Sequence, residues 1–151
     1  MKNSTKEDRD YCKNLIRMSV NARHLQLAFL PEDIKSKAEA YYALDAELKH
    51  VHLHVSEEMI GHIRFAWWRE AMDKIKSGVK MEHPVMRMLA DSGIETEKLI
   101  ALVDSYREAY PQMPEHPPEL LVDHAKWNKA GRIIANHKGS HLGLIFRLLF
   151  I

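Results

Sequence analysis

Apolar residues recur along this chain at spacings of three and four, and the period is clearest between Ser56 and Gly78. There Ile60, Ile63, Trp67, Ala71 and Ile75 mark one face of a helix. A second row, Phe65, Trp68 and Met72, widens that face. Ser56 suits an N-cap, because its hydroxyl can accept from a backbone N–H of the first turn. Glu57 and Glu58 place negative charge at the positive end of the helix dipole, and Lys74 and Lys76 stand near the other end. Gly78 can adopt the left-handed conformation that closes a helix. A helix apolar over so wide an arc needs neighbours on more than one side. The pattern therefore predicts the central helix of an all-helical layer.

The same reading extends in both directions. Ser4 and Glu7 form a capping box for a first helix with Tyr11, Leu15, Met18 and Ala22 on one face. Pro31 opens a second helix running to about Val51, with Ile34, Ala38, Tyr41, Tyr42, Leu48 and Val51 on its apolar side. Pro84 starts a short helix through Val85, Met88 and Leu89, and Gly93 ends it. Thr96 caps the next, with Leu99, Ile100, Val103 and Tyr106 inward, and Pro111 ends it. Residues 111–119 read as a proline-rich connector. Helical spacing returns at Leu121, Ala125 and Ile133, and a last apolar run reaches Ile151. No strand alternation appears, so the expected fold is all-α, one domain over residues 1–151. An apolar run with no capping residue needs a continuation or a partner. The expectation is a shortened form of a longer domain, self-associating through its C-terminal segment.

Composition narrows the function classes. The 151 residues are 46% hydrophobic and 28% charged, which fits a globular domain with a real core. A formal net charge of +1 and the lack of a basic run argue against nucleic acid and anionic membranes as electrostatic partners. Cys12 stands alone and fits a reducing, cytoplasmic setting. With no activating group beside it, Cys12 is read as a small apolar residue rather than a nucleophile. The N-terminal stretch has no apolar signal segment, and no apolar run is long enough to span a bilayer.

Three blocks together resemble the squalene/phytoene synthase family: FLPEDIKSKAEAYYALDAEL, SEEMIGHIRFAWWREAMDKI and LIALVDSYREAY. Arg64, Trp67, Trp68, Arg69 and Glu70 are the most specific part. The form is similar to the divergent bacterial branch and to mitochondrial complex I assembly factors. The resemblance covers about residues 10–110 and weakens beyond Pro111. It implies the N-terminal part of an isoprenoid-synthase helical domain. Active members join two prenyl diphosphates head to head, with magnesium held by two aspartate-rich motifs. Hard magnesium ions with oxygen ligands neutralise the leaving diphosphate.

The first aspartate motif belongs near the end of the second helix, where this chain reads LKHVHLH. His50 and His54 stand four apart where carboxylates would be wanted, and imidazole is a poor magnesium ligand. No cofactor is therefore expected, although active relatives use magnesium. His50, His54, Arg64 and Trp68 become candidates for lining a substrate pocket. His52 and His62 complete no metal set and are read as solvated or pocket-lining. Trp67 is expected to pack in the core, more so than Trp68. Arg69 is expected to pair with Asp73, and Arg64 with Glu57 or Glu58. Asp104 and Glu108 share a helical face and read as a solvated acid pair.

The reading these features support is a non-catalytic or vestigial squalene/phytoene-synthase-like protein that binds an isoprenoid or a protein partner. Peripheral association with the inner membrane and homo-oligomer formation belong to the same expectation. One alternative is a prenyl transferase active only with a missing or separate C-terminal half. Another is a respiratory-complex assembly factor or helical scaffold. A separate reading frame with an aspartate-rich helix would distinguish the first, and co-purification with membrane-complex subunits the second.

Overall fold

The computed structural model describes residues 3–19 and 21–112. The proline-rich connector beyond Gln112, the helical spacing at Leu121, Ala125 and Ile133, and the C-terminal apolar run lie outside the described residues. Six helices follow in order: α1 (Lys6–Ser19), α2 (Asn21–Leu27), α3 (Glu32–His54), α4 (Glu58–Lys76), α5 (Pro84–Ser92) and α6 (Thr96–Ala109). No strand occurs among the described residues, so the all-α expectation holds.

Most helix boundaries follow from their end residues. Pro84 occupies the first turn of α5, where its missing N–H costs nothing, and the His83 ring accepts from the Val85 N–H. Gly93 (φ 69°) ends α5 as expected and Gly78 (φ 73°) follows α4 in the expected left-handed conformation, which Gly93 shares. α6 stops before Pro111. The capping box of α1 sits one residue later than expected. Thr5 and Asp8 exchange it: the Thr5 N–H donates to the Asp8 carboxylate at 2.8 Å, and Thr5 Oγ1 accepts from the Asp8 N–H at 3.3 Å. Ser4 instead donates to Asp91, at 2.6 Å from its hydroxyl. Ser56 does not cap α4, whose N-cap position is Glu57 with no side-chain cap bond. Glu95, not Thr96, holds that position at α6.

The central helix is α3, not the tryptophan-bearing α4. α3 packs against each of the other five helices. It divides the molecule into two groups that share it: α1 and α5 on one flank, α4 and α6 on the other. Its middle is buried all round, from Ala38 through Ala46, and includes Glu39 and Asp45. The small residues Ala38, Ala40, Ala43 and Ala46 permit close approach on several sides. Each buried acid has a partner. Arg9 donates to Glu39 at 2.7 Å, and the Tyr106 hydroxyl donates to Asp45 at 2.7 Å, with Lys49 at 3.1 Å from the other oxygen.

The buried face of α1 is Asp8, Cys12 and Ile16. Tyr11 and Met18, expected on that face, are exposed. The face begins with an acid because Arg87 of α5 receives it, and apolar spacing alone does not reveal such a pair. On α4 the second apolar row is the core one. Phe65, Trp68, Ala71 and Met72 are buried, whereas Ile60, Ile63 and Trp67 are exposed. The expected order of the tryptophans is thus inverted: Trp68 is 5% exposed and Trp67 45%.

Candidate functional site

The sequence candidates fall at three separate places. His50 and His54 lie exposed on the last turns of α3, their rings stacked with centroids 4.1 Å apart. Arg64 is exposed on α4. Trp68 is buried, with its ring edge-on to Trp67 at 4.9 Å and to His83 at 5.3 Å. None of the four lines the clefts between α4 and α6 described below.

Two clefts lie between α4 and α6, and they share His62 and Arg107. One, of about 610 Å³, is lined by Glu58, Met59, Ile63 and Ala66 besides the shared pair. The other, of about 570 Å³, is lined by Arg69, Asp104 and Glu108 with the shared pair. An apolar stretch thus runs into a charged one along the same helix pair. Met59 is 75% and Ile63 61% exposed, so this side of α4 leaves large apolar side chains in water.

The charged end is ordered by α4. Arg69 donates to both Asp73 oxygens at 3.1 Å, the expected pairing, and reaches Asp104 on α6 at 3.4 Å. Glu58 meets His62 at 3.6 Å. Arg107 stands exposed between the two clefts.

Behind the clefts an aromatic group joins α3, α4 and α6. His52 has Phe65 at 5.5 Å, Tyr106 at 5.5 Å and Tyr110 at 5.1 Å around it. Both its ring nitrogens are buried without a hydrogen-bond partner. Tyr110 also packs on His62 at 5.1 Å and Phe65 at 5.4 Å, and its hydroxyl donates to the Val55 carbonyl at 3.4 Å. It lies directly over Gly61, where a Cβ would meet its ring. The sequence groups His52 with its neighbours in one histidine run, but on a helix position 52 is about 200° from position 50 and so faces away from the stacked pair.

A second polar group lies on the α1–α3–α5 flank. The Tyr11 hydroxyl donates to Glu47 at 3.0 Å, and His83 stands 3.6 Å from the same carboxylate. Partial loss of water, followed by the nearby Glu47 carboxylate, pushes the phenol of the half-exposed Tyr11 up to about 12. Burial, helped by Arg87 and opposed by Glu47, lowers His83 below its ordinary value. Cys12 is fully buried, and burial pushes its thiol up to about 12, which leaves no thiolate for nucleophilic work.

The end of α3 does not offer a magnesium site of the kind the resemblance implies. Its last two turns supply imidazoles and Lys49, not carboxylates. The acids further back on α3, Glu39, Asp45 and Glu47, are held by Arg9, by Tyr106 and Lys49, and by Tyr11. The described residues hold no cluster of three or more His, Cys, Asp or Glu able to take a metal. No helix among them is long and apolar enough to cross a membrane.

Comparison with known proteins agrees with the three sequence blocks and the helical fold. A family model, squalene/phytoene synthase, matches residues 17–115. No curated protein and no solved structure matches the chain. With the match spanning most of the chain, and with α3, α4 and α6 all inside it, this protein belongs to the squalene/phytoene synthase family.

Proposed function

We propose that this protein is a non-catalytic member of its family that binds an isoprenoid diphosphate without condensing it. The observation that carries the reading is the cleft between α4 and α6. Met59, Ile63 and Ala66 give it an apolar floor, and Arg107 and His62 stand at the point where the charged cleft begins. An amphiphile with an apolar chain matches that order if its anionic head stays at Arg107 and His62, because Arg69 is held by Asp73 and Asp104 and the charged cleft also carries the Asp104 and Glu108 carboxylates. Burying the chain is favourable by about 25 cal/mol per Å² of apolar surface removed from water, before the costs of association. A guanidinium at the boundary recognises phosphate oxygens in a fixed geometry.

Condensation needs metal-held diphosphates, and the donor set at the end of α3 is wrong for magnesium. Binding is therefore separated from chemistry. The test is to incubate the full chain with farnesyl or geranylgeranyl diphosphate and magnesium, following both binding and product. The expected outcome is saturable binding without a condensed hydrocarbon product, weakened by Arg107→Glu. Robust condensation overturns the non-catalytic reading, and binding unaffected by Arg107→Glu overturns the assignment to this cleft.

A further inference from the structure

A different pocket lies under the loop that joins α4 to α5. It measures about 330 Å³ and is lined by Trp67, Ala71, Lys74, Val79, Lys80, Met81, Glu82 and His83. We propose that it binds a small anion with a flat apolar body, the class of an aromatic carboxylate.

The volume is at the lower end of small-ligand pockets. Ala71 is buried at its floor, and so small a side chain leaves the space open. Trp67 and Val79 are 45% and 51% exposed, so apolar surface waits here for a cover. The Trp67 ring has aromatic neighbours on its inner side. It stands edge-on to Trp68 at 4.9 Å, and His83 lies against both indoles, at 5.3 Å from Trp68 and 6.2 Å from Trp67. An indole with one side packed and the other in water offers a flat ligand a surface to stack on.

The loop is anchored. Arg87 donates to the backbone carbonyls of Glu82 and Met81, and is itself gripped by Asp8. The charge around this apolar wall is uneven: two ammonium groups, Lys74 and Lys80, against the one carboxylate of Glu82. Lys74 pairs with Glu70 at 2.9 Å, but both side chains are exposed, and such pairs are readily exchanged. A flat anion fits this combination, meeting Lys80 and exchanging with Glu70 at Lys74; a cation or a neutral body brings no counter-charge to either.

The full chain is titrated with 2-naphthoate and, in parallel, with neutral 2-naphthamide of the same shape, by calorimetry and tryptophan fluorescence. The expected result is saturable naphthoate binding at least about tenfold tighter than naphthamide. In the variant Lys74→Glu/Lys80→Glu, whose changed side chains are exposed and leave the core intact, naphthoate affinity falls by about tenfold or more. Arg17→Glu, on the exposed side of α1, changes it by less than about twofold. Circular dichroism and melting curves confirm that the variants are folded. No saturable naphthoate binding, equal affinity for the amide, or an unchanged Lys74→Glu/Lys80→Glu variant each overturns the proposal.

Discussion

Gly61 shows how a single missing side chain organises the α4–α6 side. Alanine is the better helix former by about 1 kcal/mol, and Gly61 sits inside α4. The structure nevertheless has no room for a methyl group there, because the Tyr110 ring lies on the backbone. Tyr110 cannot easily give way, wedged as it is by His52, His62 and Phe65. Overpacking of this kind costs about 1–3 kcal/mol, which outweighs the propensity gain. Gly61→Ala is therefore expected to lower stability in denaturant titrations, and the loss is expected to vanish in a Tyr110→Ala background. A loss of equal size in both backgrounds would show that the contact is not responsible. Cys12 gives a second test at this scale. With its thiol fully buried and pushed up to about 12, it is expected to resist a thiol reagent in the native protein and to react only as denaturant unfolds it. Rapid labelling under native conditions would contradict that placement.

At the scale of elements, α4 presents two apolar faces, and only one of them is core. The Phe65–Trp68–Met72 row packs inward, while Ile60, Ile63 and Trp67 meet water. Truncating a buried tryptophan costs about 3–5 kcal/mol. Trp68→Ala is expected to cost that much, and Trp67→Ala no more than about 1 kcal/mol, the usual range for a change near the surface. The reverse order would restore the arrangement that the spacing predicted. The helices and most of their ends were legible in the sequence because local chemistry fixes them: Pro84 at a first turn, Gly78 and Gly93 in left-handed conformations, Pro111 after a last one. The inward face of α4 was not legible. Two rows of similar apolar character lie side by side, and the choice depends on how α3, α5 and α6 pack against them, which spacing within α4 does not report. The candidate site was not legible for the same reason. The i, i+4 spacing put His50 and His54 on one face, but they do not line the clefts, and no local rule joins Met59, His62 and Arg107 across two helices.

For the whole molecule, the decisive residues are charges that apolar spacing passes over. Asp8 and Arg87 are 79 residues apart, yet they bind the first helix to the fifth. Asp8 is 2% exposed, and its carboxylate receives the Arg87 guanidinium through two oxygens. That contact holds its pKa at about 2, against 3.8 for an ordinary aspartate. A carboxyl whose folded pKa lies below its unfolded one binds fewer protons when native. Its contribution is complete above the unfolded value and is lost as pH falls from about 4 toward 2. Glu7, Glu32 and Glu97 are shifted in the same direction, but on the exposed surface, where solvent screens them. Of these four, Asp8 is the buried one, and it is expected to contribute most to the acid limb. Stability measured by denaturant titration is expected to fall steeply between about pH 4 and pH 2. Asp8→Asn is expected to be weaker by about 1–3 kcal/mol at neutral pH, because it leaves Arg87 without its anion. It is also expected to lose less on acidification, since nothing remains at position 8 to protonate. Arg87→Met should reproduce the shallow acid limb, because a carboxyl without its guanidinium titrates closer to its unfolded value. If wild type and Asp8→Asn decline in parallel through this range, the clamp between α1 and α5 is not what acid releases.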